Sequence, residues 1–301
     1  MSGRVFSLGL WLGLCTGCGP GAKPAGSESG PGQDSAAEAP LTRACNGHPA
    51  LCDRPLDAVR FPGTHNSMSA ADEGWLGPNQ GHGIERQLED GVRAMMFDTY
   101  EVDGELLLCH GYCSLGSRPL IDALQGVDAF LAAHPEELLL LILQDGTSVE
   151  ATTAALDAAG LGARTYDATP QLQGAPWPTL GELTAGGHQL IVSAESQGPP
   201  PAWYHHAWAL FSDTPYSFRS IEELSCAANR GEAQSPLFLV NHWLGPLPSE
   251  DAAATVNLAE VLRARVEACE AERGKVANFV AVDHYQVGDL FSVVAALNGL
   301  D

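Results

Sequence analysis

The chain is short of positive charge. Its 301 residues carry 15 Lys and Arg against 37 Asp and Glu, a net charge of −22. A field of that sign disfavours nonspecific binding to nucleic acid and to anionic lipid headgroups. An anionic substrate is still admissible, but local donors or a metal must meet it. Membrane-spanning runs are also missing at the N-terminus, where FSLGLWLGL is too short to cross a bilayer as a stable helix. Beyond the Cys15 and Cys18 of the N-terminal segment, no CxxC pair occurs, which argues against zinc. Neither GxGxxG nor GxxxxGK(S/T) follows an apolar run, which weakens a nucleotide-binding open sheet. There is no internal repeat.

What is present at the N-terminus reads as targeting. Arg4, the short apolar run and then Leu14-Cys15-Thr16-Gly17-Cys18 resemble a lipoprotein-type signal over residues 1–17. Cys18 would then be the lipidated first residue. Cys15 stands where an aliphatic residue is usual, and an ordinary secretory signal is the alternative. Residues 18–40 are rich in Gly, Pro, Ala and Ser. Such a segment cannot bury enough surface to offset its ordering entropy, so it reads as a flexible tether. The folded domain is expected over 41–301. The expected location is extracytoplasmic, either anchored to a bacterial membrane through the lipid or secreted. Nothing points to an obligate protein partner.

Of the 8 cysteines, two belong to the signal. The even remainder, Cys45, Cys52, Cys109, Cys113, Cys226 and Cys269, predicts disulfides in an exported chain. Six cysteines allow about 15 pairings. Proximity in sequence suggests Cys45–Cys52, Cys109–Cys113 and Cys226–Cys269.

From Leu41 onward, apolar strand-like runs alternate with helical stretches. ELLLLILQDG has the continuous character of a strand buried on both faces. HQLIVSAE, PLFLVNHW and NFVAVDHY read as further strands, and Trp208 to Phe211 as another. Helices are expected over 121–133, 151–159, 251–272 and 290–297. The alternation indicates an α/β domain with a parallel sheet, compatible with a (β/α) barrel or an open doubly wound sheet.

Polar residues gather where these runs end. His65 follows the first. Asp98, His110, Asp145, Asn241 with His242, and Asp283 with His284 close later ones. In a parallel barrel the carboxyl ends of the strands share one face, and active sites lie there. Six apolar runs ending this way point to an enzyme. Two histidines on neighbouring strands suit a base that takes a hydroxyl proton and an acid that protonates a leaving oxygen. An aspartate can orient one imidazole. Cleavage of a phosphodiester by an internal hydroxyl needs this set and a positive element for the phosphoryl oxygens. His205, His206, His242 and His284 read as structural or exposed. Alternation puts His284 with Val280 and Val282, away from Asp283.

Five blocks in order, GTHNS, GVRAMMFDTYEVDGELLLCHGYC, HPEELLLLILQDG, CAANRG with LFLVNHW, and ANFVAVDHY with LNG, resemble the phosphatidylinositol-specific phospholipase C (PI-PLC) X-domain superfamily. The nearest likeness is to its secreted PLC-like phosphodiesterase branch. The resemblance implies an irregular TIM-type (β/α) barrel and a phosphoric diester hydrolase or lyase acting on a phosphodiester lipid. His65 would be the general base on an inositol 2-hydroxyl, His110 the general acid toward the diacylglycerol oxygen, and Asp283 the partner of His65. Asn66 and Asp98 match Ca²⁺-binding positions of the metal-dependent members. Two departures matter: Met96 and Gln144 stand where those members have carboxylates, and metal-independent members place an arginine where this chain has Asp98. Asn66, Asp98 and Gln144 leave a weak Ca²⁺ site as the cofactor expectation. Asp145 could shift inward to replace a missing ligand. Arg230, with Asn66, could instead bind substrate and supply the positive charge. The alternative is an inactive barrel that binds phospholipid or inositol phosphate. A glycerophosphodiesterase or a sphingomyelinase-D-like enzyme ranks lower, because such sites want more acidic ligands.

Overall fold

The computed structural model describes residues 43–300. The expected signal, the tether and Cys18 lie outside the described residues. Ten strands follow in chain order: β1 (Phe61–Thr64), β2 (Ala94–Val102), β3 (Glu105–Cys109), β4 (Ser117–Pro119), β5 (Leu139–Gly146), β6 (Leu190–Ala194), β7 (Tyr204–His206), β8 (Phe211–Asp213), β9 (Leu237–His242) and β10 (Phe279–Val282). Between them run α1 (Ile84–Asp90), α2 (Leu120–Ala133), α3 (Val149–Ala158), α4 (Thr169–Leu172), α5 (Leu180–Ala185), α6 (Ala207–Leu210), α7 (Glu250–Val256) and α8 (Ala259–Arg273), with α9 (Leu290–Leu297) last.

Eight strands are parallel neighbours in the order β7-β6-β5-β2-β1-β10-β9-β8. Apart from β7 and β8, each lies beside the next wall strand along the chain, and the first and last strands pair, with Phe61 opposite Phe279. That is the closure of a barrel. A doubly wound sheet would reverse its order at a switch point. The ladder is interrupted only between β7 and β8, which α6 joins without strand pairing.

The two-residue period of the strands sorts their side chains into two cores. Met95, Phe97, Leu139, Leu141, Leu143, Val192, Val240, Val280 and Val282 pack outward with α1, α2, α8 and α9 residues such as Leu88, Leu124, Leu262 and Leu290. Phe61, Ala94, Leu140, Ile142, Ile191, Phe211, Leu237, Leu239, Phe279 and Ala281 fill the interior. This explains the continuous apolar runs, because both faces of each wall strand are buried. Gly63 is part of the fit. A Cβ there would lie 2.2 Å from a ring carbon of Phe279, so the interior ring lies where any larger residue would project.

Three expectations change. Trp208 belongs to α6, and only Phe211–Asp213 is strand. The expected 251–272 helix is split into α7 and α8. Asn257 sits at the break and donates to the carbonyls of Asp283 and Val287 at 2.9 and 3.1 Å, while Asp289 caps Ala259 at 2.8 Å. The pull of the loop after β10 outweighs helix continuity there. Finally, LLLCH is no wall strand. It is β3, antiparallel to β2 with Leu108 opposite Thr99, so β1 and β3 are not neighbours. The three disulfides are Cys45–Cys52, Cys109–Cys113 and Cys226–Cys269, the pairings that sequence proximity suggests. Among the described residues no helix is long and apolar enough to cross a membrane.

Candidate active site

The site is the top layer of the barrel interior. Continue each inward-facing row by one step past its apolar residues, and the period of two delivers a polar side chain. Phe61 and Gly63 lead to His65, and Ala94 and Met96 to Asp98. Leu140 and Ile142 lead to Gln144, Ile191 and Ser193 to Glu195, Leu237 and Leu239 to Asn241, and Phe279 and Ala281 to Asp283. His65, Asn66, Met96, Asp98, Ile142, Gln144, Glu195, Tyr216, Arg230, Asn241 and Trp243 surround one cavity of about 170 Å³.

His65 is held on two sides. Its Nδ1 lies 2.9 Å from Asp283 Oδ1, and its ring stacks on Trp243 with centroids 3.8 Å apart and planes within 3°. Asn79 donates to the same Asp283 oxygen at 3.0 Å. Asn66, in a left-handed conformation at φ 44°, turns its amide toward the second histidine: Nδ2 lies 3.2 Å from His110 Nε2 and 3.3 Å from Asn79 Oδ1. The chain Asp283–Asn79–Asn66 thus connects the surroundings of the two imidazoles. His110 reaches this point because β2 and β3 form a hairpin that rises past the rim and returns. The Cys109–Cys113 bridge closes the short loop that carries it. Partial burial and the charge of a protonated His65 push the His110 pKa below its ordinary value, with Asp283 opposing.

Asp98 is 4% exposed and has no hydrogen-bond partner among the described residues. Burial pushes its pKa up to about 7, the Glu195 charge adds to the rise, and His65 opposes it. The unfolded carboxyl titrates near 3.9, so the native state binds this proton first as pH falls. Charging Asp98 in the fold therefore costs stability progressively as pH rises from about 4 to about 7. Asp98→Asn removes that penalty. In the presence of chelator, the variant should match wild type near pH 4 and exceed it at pH 8 by as much as about 4 kcal/mol. Urea unfolding at the two pH values checks this, and a pH-independent difference would show that Asp98 is not an uncompensated charge.

Arg230 enters the cavity, but it is not free. Its Nε and Nη2 donate to Asp213 Oδ2 at 2.9 and 2.6 Å, and Nη1 to Glu195 at 2.9 Å. Its guanidinium lies over Trp208 at 3.8 Å and Tyr216 at 4.6 Å. Asp145 does not turn inward. It accepts from the Ser196 N–H at 2.8 Å and is absent from the cavity wall, as its parity on β5 requires. His242 bonds the Val256 carbonyl at 2.8 Å from a fully buried position. His205 accepts from the Ala168 N–H at 3.0 Å, and His284 is buried with both ring nitrogens unpartnered. None of these three lines the cavity.

Sequence reasoning missed Asn79, Glu195, Asp213, Tyr216 and Trp243. Glu195 was within reach, since HQLIVSAE ends in a carboxylate at the inward parity. Asn79 lies in the irregular segment after β1, and nothing in its neighbourhood marks it. For an oxygen-seeking cation, the cavity holds two carboxylates, Asp98 and Glu195, and the amides of Asn66, Gln144 and Asn241. No group of three or more His, Cys, Asp or Glu side chains suited to a metal occurs among the described residues. The donor set is nevertheless all oxygen, which is the chemistry that Ca²⁺ takes.

Comparison with known proteins follows the same lines. The PI-PLC X 1 family model matches residues 51–298. The chain is 29% identical over 279 residues to the PI-PLC X domain-containing protein 1 of Arthroderma benhamiae, covering 85% of this chain and 90% of that protein. An uncharacterized secreted protein of the same fungus is 27% identical over 290 residues, covering 86% of this chain and 65% of the relative. A PI-PLC X domain-containing protein of Arabidopsis thaliana is 26% identical over 269 residues, covering 81% and 63%. Among solved structures, the phosphatidylinositol-specific phospholipase C from Listeria monocytogenes superposes with a TM-score of 0.57 at 16% identity, covering 83% of this chain and 95% of that one. At that identity the likeness speaks for the fold.

Proposed function

The chain belongs to the PI-PLC X family, and from that premise we propose that it is an extracytoplasmic phosphodiesterase that cleaves a lipid phosphodiester by histidine acid–base chemistry. The carrying observation is His65, clamped between Asp283 and Trp243 at the wall of a polar cavity, with His110 reached through one asparagine. With Nδ1 engaged by Asp283, Nε2 is the nitrogen left to take a proton from a substrate hydroxyl. Asp283 then faces the imidazolium that forms. That hydroxyl oxygen attacks phosphorus, and the leaving oxygen takes a proton from His110. In the neutral state His110 Nε2 accepts the Asn66 N–H. The charged acid donates from that nitrogen instead, so the leaving oxygen of the substrate has to take the place of the Asn66 N–H there.

The phosphoryl oxygens need a positive element. Arg230 is at hand but shared with two carboxylates, so it contributes little net charge. A divalent cation held by Asp98 with Asn66 and Gln144 would, when bound, supply the charge that neutralises the phosphoryl oxygens. The three disulfides and the secreted relative support a location outside the cytoplasm. Attachment to a membrane through Cys18 is part of the same proposal.

The test is a panel of phosphodiesters, with phosphatidylinositol, glycosylated phosphatidylinositol and glycerophosphodiesters, each with and without Ca²⁺. Formation of a cyclic or open phosphate product from one member supports the reading. Saturable binding with no product from any member would instead establish the second reading, a binding barrel, which Met96, Gln144 and the neutralised Arg230 favour.

A further inference from the structure

Two acceptors in the cavity lack any donor. Asp98 lines the cavity and makes no side-chain hydrogen bond within the protein, and Asn241, wholly buried, has Oδ1 without a partner. The Asn241 amide cannot be turned to relieve this. Its Nδ2 donates to Asp213 Oδ2 at 3.1 Å and to the Thr214 carbonyl at 2.6 Å, and exchanging O for N would set oxygen against oxygen at both. Unpaired buried acceptors are costly unless something positive or hydrogen-donating completes them. The same wall contains Asn66, Gln144 and Glu195, and its only guanidinium among the described residues, Arg230, is already paired. The surplus is therefore of oxygen acceptors.

We propose that Glu195 supplies the carboxylate that Met96 and Gln144 do not, so that a Ca²⁺-class cation is held by Asp98 and Glu195, with amide oxygens of Asn66, Gln144 and Asn241 completing the shell. This moves one acidic ligand a strand further round the barrel, from β5 to the end of β6. It deepens the reading above, since it concerns the same cavity. Six to eight oxygen ligands are usual for such a cation, and water supplies those the side chains do not. Glu195 has a resident competitor in Arg230 Nη1 at 2.9 Å. The guanidinium keeps its two contacts to Asp213 when that one is released, so it has no need to leave. Competition of this kind predicts an affinity in the weak, extracellular range, with a dissociation constant of about 10⁻⁴ to 10⁻³ M.

The test needs no substrate. CaCl₂ is titrated calorimetrically into the full-length protein, and Tb³⁺ luminescence sensitised by Trp243, in the wall of the same cavity, gives a second readout. Wild type should bind one Ca²⁺ saturably. Glu195→Gln, which keeps a hydrogen-bonding group for Arg230, should weaken binding at least tenfold, and Asp98→Asn by as much or more. Glu195→Asp should fall between, and Asp145→Asn, outside the cavity, should stay within twofold of wild type. Absence of saturable binding at 10 mM Ca²⁺, or a Glu195→Gln variant that binds like wild type while Asp98→Asn does not, would overturn the assignment. Binding by a protein with no turnover would sink the enzyme and leave this site standing. Turnover by a protein that binds no Ca²⁺ would do the reverse.

Discussion

His65→Ala should lower turnover of the responsive phosphodiester by roughly 10²- to 10⁴-fold while leaving the unfolding transition close to that of wild type. The size follows from the role. Without a positioned base, the attacking hydroxyl must lose its proton to water in the transition state. The fold should tolerate the change because His65 sits at the mouth, with 22% of its side chain exposed, above the apolar layers. Truncation does leave Asp283 without its imidazole, but Asn79 still donates to it. Asp283→Asn should act in the same direction with a smaller loss, because it removes the charge that fixes the tautomer and faces the imidazolium without removing the base. His110→Ala should resemble His65→Ala, and the double variant should be little worse than either, as expected for groups that serve one transition state. Steady-state kinetics beside circular dichroism decide this. Full activity in either single variant would remove the acid–base assignment.

Asp213→Ala should cost about 3–5 kcal/mol of stability, the usual penalty for removing one partner of a buried ion pair. For a domain of this size that is a fall in Tm of roughly 10 °C or more. Asp213 is fully buried and serves as a hub. It accepts from the Arg230 backbone N–H at 2.6 Å, from Arg230 Nε and Nη2, and from the side-chain amides of Asn229 and Asn241 at 3.2 and 3.1 Å. Alanine would leave the Arg230 backbone N–H, Nε and Nη2 without their acceptor, while Asn241 keeps the Thr214 carbonyl and Asn229 is exposed. Gly231 adds to the constraint. Its φ is 73°, and a Cβ there would lie 2.0 Å from the Phe211 carbonyl oxygen, so the NRG segment must hug β8 closely. Thermal unfolding of Asp213→Ala and Asp213→Asn separates lost charge from lost shape. A melting temperature within a few degrees of wild type for the alanine variant would show that the hub is dispensable.

Much of this protein was legible because apolar alternation is a local property. Runs such as LLLLIL and LFLV show strands buried on both faces, and a polar residue one step beyond an apolar row marks the barrel mouth. Strand ends pointed to His65, Asp98, Asn241 and Asp283 and also to Asp145, whose parity on β5 keeps it out of the cavity, while Gln144 came from the family resemblance. Glu195 obeys the same parity, as the last inward residue of HQLIVSAE. His110 was visible as the end of LLLCH, but that run is a hairpin strand and not part of the wall. A five-residue apolar stretch looks the same whether it lies in the wall or folds back as a hairpin.

The amino-acid order by itself determined the alternation of strand and helix and the parity of each row, and its close spacings indicated the Cys45–Cys52 and Cys109–Cys113 bridges. Only the folded chain decided which residues from distant segments share a hydrogen bond. Asn79 joins Asp283 across 204 positions and Arg230 joins Glu195 across 35, while Trp243 comes to lie flat on His65. The physical reason is range. Side-chain periodicity is set by the backbone over a few residues, whereas the balance of charge and hydrogen bonding in the cavity depends on groups that become neighbours only when the barrel closes.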